Sequence, residues 1–551
     1  MRVKRSVTLT ACSSLLTLSL ALTGCGGKQV QKTTADGRPI ITIGRSTVPN
    51  PKLPDGDTYE DNAYTRLVEK ELGIDLVDAF EASGDEYGRQ VSLGISSGEL
   101  PDIVSVGGRD ELRELYENDL IADLTDVYEK YATQNIKDKY ESYDGRCLDN
   151  VTIDGRLYGL PSTALSQRPG GMVWLRSDWI EELNLTVDED GDKKITIGEL
   201  EEIAKAFMKG NPEHVKNVVG IACLPNLTGQ STDDAMCLNS IAYAMGAMPK
   251  TWYEEDGKVK YGSTDPEMVD FLKKVNEWYE TGLLDHQFGT RAWDEAMALL
   301  NNGQTGIAFG QWHMPDWGLN NVRSLNPKAN FEVYAIENED GKIPSKYSSA
   351  AGGAYVVSKE CEHPEVAIQI LNLMNDDDLI LKAAQENEEI AQYEANAVDN
   401  STKPFNMVVL SNTSLLDDYA EIEKGISGEL PVDQVRTLEG RSCIASVQKY
   451  LKDPVHCEVP DWAKYHSRCK GIELFQNLMA NNDYTWLEAI YPETTDTMET
   501  NMENLNKLEE ELFMKIVIGE IEPEQGFKDF VAQWNELGGE KISEEIAEQI
   551  K

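Results

Sequence analysis

The chain has 551 residues, with 51 basic against 96 acidic side chains, a formal net charge of −45 and an apolar fraction of 40%. So acidic a body repels nucleic acid and anionic lipid headgroups, and it disfavours a polyanionic ligand unless a local basic pocket overrides the field. The length suffices for two or more lobes with separate cores, and the composition is globular rather than disordered.

At the N-terminus Arg2, Lys4 and Arg5 precede an apolar run from Val7 to Leu22, followed by Leu22-Thr23-Gly24-Cys25. Basic, apolar and small-residue regions in that order read as a bacterial secretion signal ending in a lipobox. Residues 1–24 are expected to be removed, leaving Cys25 as the lipid-bearing first residue, a palmitate site. The rival string Leu9-Thr10-Ala11-Cys12 has too few apolar residues before it, and ordinary secretion with Cys25 a spectator is the alternative. Residues 25–37 are polar and Gly-containing, a flexible tether. No later run is long and apolar enough to span a bilayer, so the remainder is expected to be soluble. Beyond Cys25, seven cysteines are scattered with no C-x-x-C spacing. They are expected to be mostly buried free thiols, with a Cys443–Cys457 bridge left open.

Ile40-Ile41-Thr42-Ile43 reads as a strand, and Pro49, Asn50, Pro51 and Pro54 as the loop after it. Ala63, Leu67, Val68 and Leu72 share a helical face that Gly73 ends; alternation from Ile74 to Phe80 follows, then a helix before Gly98. Leu100 to Val106 opens as a strand onto Gly107-Gly108-Arg109. This order predicts a parallel α/β sheet with right-handed crossovers, whose ligands sit beyond the carboxyl ends of the strands. A turn string spans Ile153 to Pro161, a strand Met172 to Leu175, and helices start near Asp178, Glu199 and Pro266. Phe527, Phe530, Val531, Trp534 and Leu537 fall at helical spacing and are expected in the core.

Asp188-Glu189-Asp190-Gly191-Asp192-Lys193-Lys194-Ile195-Thr196-Ile197-Gly198-Glu199 places acids at positions 1, 3, 5 and 12 of an EF-hand-type calcium loop. Calcium takes about six to eight oxygens. Asp188, Asp190, Asp192, the carbonyl of Lys194, Thr196 through water and a bidentate Glu199 would supply them. Lys193 stands where the pattern wants Gly, so it must take a left-handed conformation at a cost on the order of 1 kcal/mol. The alternative is an acidic solvated turn. A bound calcium is expected to brace its lobe.

Six phrases, in order along nearly the whole chain, resemble those of the carbohydrate-type extracellular solute-binding lipoproteins of ABC importers (family 1, LipO-like). They are Ser97-Gly98-Glu99-Leu100-Pro101-Asp102-Ile103, Asp154 to Pro161, Trp174-Leu175-Arg176-Ser177-Asp178-Trp179, Gly282-Leu283-Leu284-Asp285, Gly306-Ile307-Ala308-Phe309, and Val356-Val357-Ser358-Lys359 ahead of His363-Pro364-Glu365. The resemblance implies an α/β, two-lobed, periplasmic-binding-protein-like fold of type II, each lobe a mixed sheet flanked by helices, with the ligand cleft between lobes. It implies an N-terminal lobe of 38–168 and 332–385, and a C-terminal lobe of 169–331 and 386–551 that carries the 188–199 loop. It further implies a monomeric binding subunit with no catalysis and no organic cofactor. Such a subunit sits on the extracellular face of the cytoplasmic membrane and hands a sugar or oligosaccharide to permease subunits.

Sugar pockets pair aromatic faces with hydrogen-bonding side chains. On loops at predicted strand ends these are Asn50, Arg109, Ser162, Trp174, Arg176, Asp234, Trp312 and Tyr347, with Trp312 foremost because Gly310-Gln311-Trp312 follows an apolar strand. Arg109 and Arg176 suit a uronic acid, while the acidic field favours neutral sugars. Trp179, Trp252, Trp278 and Trp534 read as packing. A surface glycan-degrading enzyme and a ligand-presenting sensor subunit remain as alternatives. The nucleophile-elbow match Gly94-Ile95-Ser96-Ser97-Gly98 lies after a helix and before a strand, the wrong context.

Overall fold

The computed structural model describes residues 32–48, 53–230, 234–395 and 400–550. The expected signal segment, Cys25, most of the tether and Asn50 lie outside them.

A first body is built on a five-stranded sheet. Ile40–Ser46 pairs in parallel with Asp75–Ala82 on one side and Ile103–Val106 on the other. Ala351–Val357 then adds antiparallel, flanked by Leu160–Thr163. The predicted parallel order therefore holds for three strands, and returning chain makes the sheet mixed. Between the strands, helix Ala63–Leu72 is opened by the Asn62 capping box and closed by Gly73 at φ 67, and Gly98 at φ 70 closes Asp85–Ser97. Both left-handed caps are conformations a Cβ would disfavour.

The second body's sheet runs Ile307–Phe309, Met172–Arg176, Phe331–Ile336, Lys194–Ile195. Every residue of Met172–Arg176 is buried. Successive side chains enter opposite cores: Val173, Leu175, Tyr334 and Ile336 face one, Met172, Trp174, Val333 and Ala335 the other. The C-terminal helices Asp496–Val517, Pro523–Glu536 and Gly539–Gln549 join the first of these, with Phe527, Phe530 and Trp534 in the core as expected.

Lobe boundaries fall elsewhere than expected. Phe331–Ile336 and Ile343–Lys346, placed in the first lobe from residue 332, pair within the second body. Ile390, Tyr393, Phe405, Met407 and Val409, placed in the second, pack on the first core. The chain thus passes between the bodies at 164–171, 347–350 and 410–413. All seven cysteines of the described chain are free thiols, Cys443 and Cys457 included.

Candidate functional site

The segments that cross between the bodies line a cleft cavity of about 480 Å³. The first body contributes Ala351, the crossings Ala164, Arg168, Ser348 and Ser349, and the second body Gln230, Lys250, Trp252 and Tyr491. Trp252 stands on strand Trp252–Glu255, its ring 4.6 Å from Tyr261, which stacks at 4.5 Å and 4° on Trp534. Tyr491 is 51% exposed, and its hydroxyl donates to the Tyr347 carbonyl at 2.7 Å. Lys346 is buried, its ammonium donating to the Gln230 carbonyl (2.8 Å) and Thr251 Oγ1 (3.0 Å).

Cavity size does not pick out this site. A larger cavity, of about 680 Å³, lies in the first body along helix Asp85–Ser97 and the residues that open strand Ile40–Ser46. Ligand sites of such sheets lie beyond the opposite, carboxyl ends, which is where the crossings run.

None of the expected contact residues among the described residues lines this cavity. Trp174 is fully buried, its indole donating to the Gln311 carbonyl at 3.1 Å. Arg176, 1% exposed, ends its strand at the pole away from the crossings, where Asp178 and Glu213 each hold it at 2.6 Å and Trp179 lies under it at 4.6 Å. Ser162 donates to the Gly353 carbonyl within the first sheet. Asp234 lines a separate small cavity beside Gly310. Trp312 has one ring face covered by the Arg468 guanidinium at 4.4 Å, and Gly471 presses so close that a Cβ there would meet Trp312 at 2.8 Å. Tyr347 stacks on Trp486 at 5.3 Å. Arg109 bridges the bodies: it meets Glu493 at 2.5 Å, Arg113 meets the same carboxylate at 2.9 Å, and the Thr494 amide donates to Asp110.

Arg168, Gln230, Lys250 and Tyr491 were not foreseen. A legible signal existed for one of them, since Arg168 sits in Gln-Arg-Pro-Gly-Gly at the point where the first lobe was expected to end.

The acidic loop follows helix Ser177–Glu182 and precedes helix Ile197–Gly210. One carboxylate oxygen from each of Asp188, Asp190 and Asp192 lies within 4.8 Å of the others. Lys193 takes φ 64, the left-handed conformation expected of it, and its amide donates to Asp188. Ile195, fully buried, pairs with Ile336 and anchors the loop to the second sheet. Glu199 stands apart from the three aspartates. Its carboxylate accepts from the Thr196 amide and hydroxyl, both at 2.8 Å, in a capping box. Three converging carboxylates are hard oxygen donors, and that set fits calcium.

Two α/β bodies linked by three crossings over a shared cavity define a two-lobed binding protein, a class that grips its ligand between lobes. A model of the bacterial extracellular solute-binding protein family matches residues 63–391, and the chain belongs to that family. It is 25% identical over 338 residues to the fructooligosaccharide ABC transporter substrate-binding protein FusA of Streptococcus pneumoniae serotype 4 (strain ATCC BAA-334 / TIGR4). That match covers 58% of this chain and 59% of the relative, so the chain spans about three-fifths of that protein's length. Two solved structures share the fold. An HMO-binding solute-binding protein of Bifidobacterium longum infantis ATCC 15697 aligns with TM-score 0.61 at 15% identity, covering 93% of this chain and 98% of that one. The FusA EF-hand mutant of S. pneumoniae with fructo-nystose aligns with TM-score 0.60 at 15% identity, covering 93% and 99%.

Proposed function

We propose that the protein captures a saccharide outside the cell and delivers it to the permease of an ABC importer. The observation that carries this reading is a cleft cavity lined from both bodies by aromatic and hydrogen-bonding side chains. A ligand there touches both lobes only when they close, so binding favours the closed state that a permease recognises. Family membership and the transporter relative support it. The protein binds without turnover and works as a monomer, held to the cytoplasmic membrane's outer face by lipid on Cys25. No described helix is long and apolar enough to cross a membrane. The first lobe comprises the described chain from 38 to about 164 together with 351–409, and the second the described chain from 171 to 347 and from 414 onward.

Calcium occupies the acidic loop, held by Asp188, Asp190 and Asp192, the Lys194 carbonyl and Thr196 through water, with Glu199 swinging out of its capping box as the bidentate ligand. Its role is to neutralise converging charge and stiffen the second body.

The test is thermal unfolding of the chain from residue 25, with calcium or chelator, across neutral and acidic oligosaccharides. A saccharide-dependent rise in Tm without product formation is expected, and no response to any sugar would refute the reading. Calcium is expected to raise Tm, and Asp190→Ala to abolish that rise; equal Tm with calcium and chelator would remove the metal site.

A further inference from the structure

Arg168 is half-buried in the first crossing and faces the cleft cavity. Every other arginine of the described chain meets a carboxylate or a carbonyl oxygen, including Arg109, Arg176 and Arg468. Among the described residues Arg168 forms neither a hydrogen bond nor an ion pair. Lys250 lines the same cavity, and its ammonium likewise has no carboxylate within ion-pair distance. Lys346 on the same wall is already engaged within the protein, and the described lining includes no Asp or Glu. In a chain with nearly twice as many acids as bases, a described lining that holds Arg168 and Lys250 and no acid is a local inversion of the molecule's field. A planar guanidinium with its donors unengaged is pre-shaped for an oxyanion taken two oxygens at a time.

The position of Arg168 strengthens the case. Its charge opposes the upward shift that burial gives the Tyr143 hydroxyl in the first body. It also adds to the downward shift that burial and then Arg468 give His313 in the second. The charge of Arg168 is therefore felt in both bodies, as befits a residue on a crossing between them. Arg109 and Arg176, the sequence-level choices for an acid pocket, are already neutralised by protein carboxylates.

We infer that the cleft selects saccharides bearing an anionic group, a carboxylate foremost, which Arg168 engages while Lys250 balances its charge and Tyr491 stacks on the ring. This deepens the saccharide-capture reading and rests on it.

The experiment is calorimetric titration of the chain from residue 25 with matched pairs of short oligosaccharides: glucose with glucuronate, galactose with galacturonate, mannose with mannuronate, and a sulfated galactose set. An acidic member is expected to bind at least about tenfold tighter than its neutral twin. Its affinity should fall as salt rises. Arg168→Gln is expected to erase that preference while leaving Tm unchanged, since Arg168 has no protein partner to lose. If sulfated and carboxylated members bind alike, the cavity reads charge; if carboxylates alone bind, it reads the planar fork. Either supports the inference. Neutral members binding as tightly as acidic ones would overturn it and leave saccharide capture standing. No binding by any saccharide would overturn both.

Discussion

Glu509 offers a stringent test of the second body's packing. Its side chain is 1% exposed on helix Asp496–Val517, where Tyr261 donates to one carboxylate oxygen at 3.2 Å and the other oxygen has no partner. Burial pushes its pKa from the ordinary 4.5 to about 7, against the pull of the Lys250 charge at the cleft wall. The folded state therefore holds the proton more tightly than the unfolded state. The stability linked to that proton is fully present below about pH 4.5 and is lost as pH rises through 7. A shift of that size corresponds to roughly 3 kcal/mol between pH 4.5 and pH 8. Glu509→Gln keeps an acceptor for Tyr261 but has no proton to lose. It is expected to change stability little at pH 5 and to raise it by roughly 2–3 kcal/mol at pH 8. Urea unfolding of both proteins at the two pH values, followed by tryptophan fluorescence, measures the difference. An equal effect at both pH values, or a less stable variant at pH 8, would refute the argument that burial governs this carboxyl.

Other consequences are checked as directly. Arg45 and Asp78, with side chains 1% and 4% exposed, form a forked pair at 2.9 Å inside the first sheet. Asp78→Ala leaves that guanidinium buried and uncompensated, and is expected to cost about 3–5 kcal/mol in chemical denaturation. Gly471→Ala forces a methyl against Trp312 and is expected to cost about 1–3 kcal/mol by the same assay. Glu493→Gln loosens the contact that joins Arg109 and Arg113 to the second body. Small-angle scattering of the ligand-free variant should show a larger radius of gyration, and an unchanged curve would mean the pair does not hold the lobes together.

Much of the fold was legible because local rules and tertiary packing agree. Ala63–Leu72 ends at the glycine that punctuates it, Ile103–Val106 is the strand its β-branched run predicts, and the C-terminal aromatics fill a core. The site was far less legible. Met172–Arg176 is buried on both faces, so its residue types carry no sign of which end approaches the cleft; Trp174 and Arg176 looked exposed at a strand end and are packed inside. Trp252 was read as packing, and it is, with its ring propped on Tyr261 while it also walls the cavity. Arg168 and Lys250 are 82 residues apart, and only the path of the crossings brings them together, which no local spacing encodes.

The place of Ala351–Val357 in the first sheet bears on when the protein is able to fold. That strand slots between Ile103–Val106 and Leu160–Thr163, so both wait with open edges through almost 190 further residues of synthesis. Hydrogen-bonding groups along those edges have no partner until it arrives, and pairings so distant in the chain form slowly. The first lobe is thus unable to close before roughly two-thirds of the polypeptide has been made, and for that interval the nascent chain stays threadable and dependent on whatever shields it from other chains.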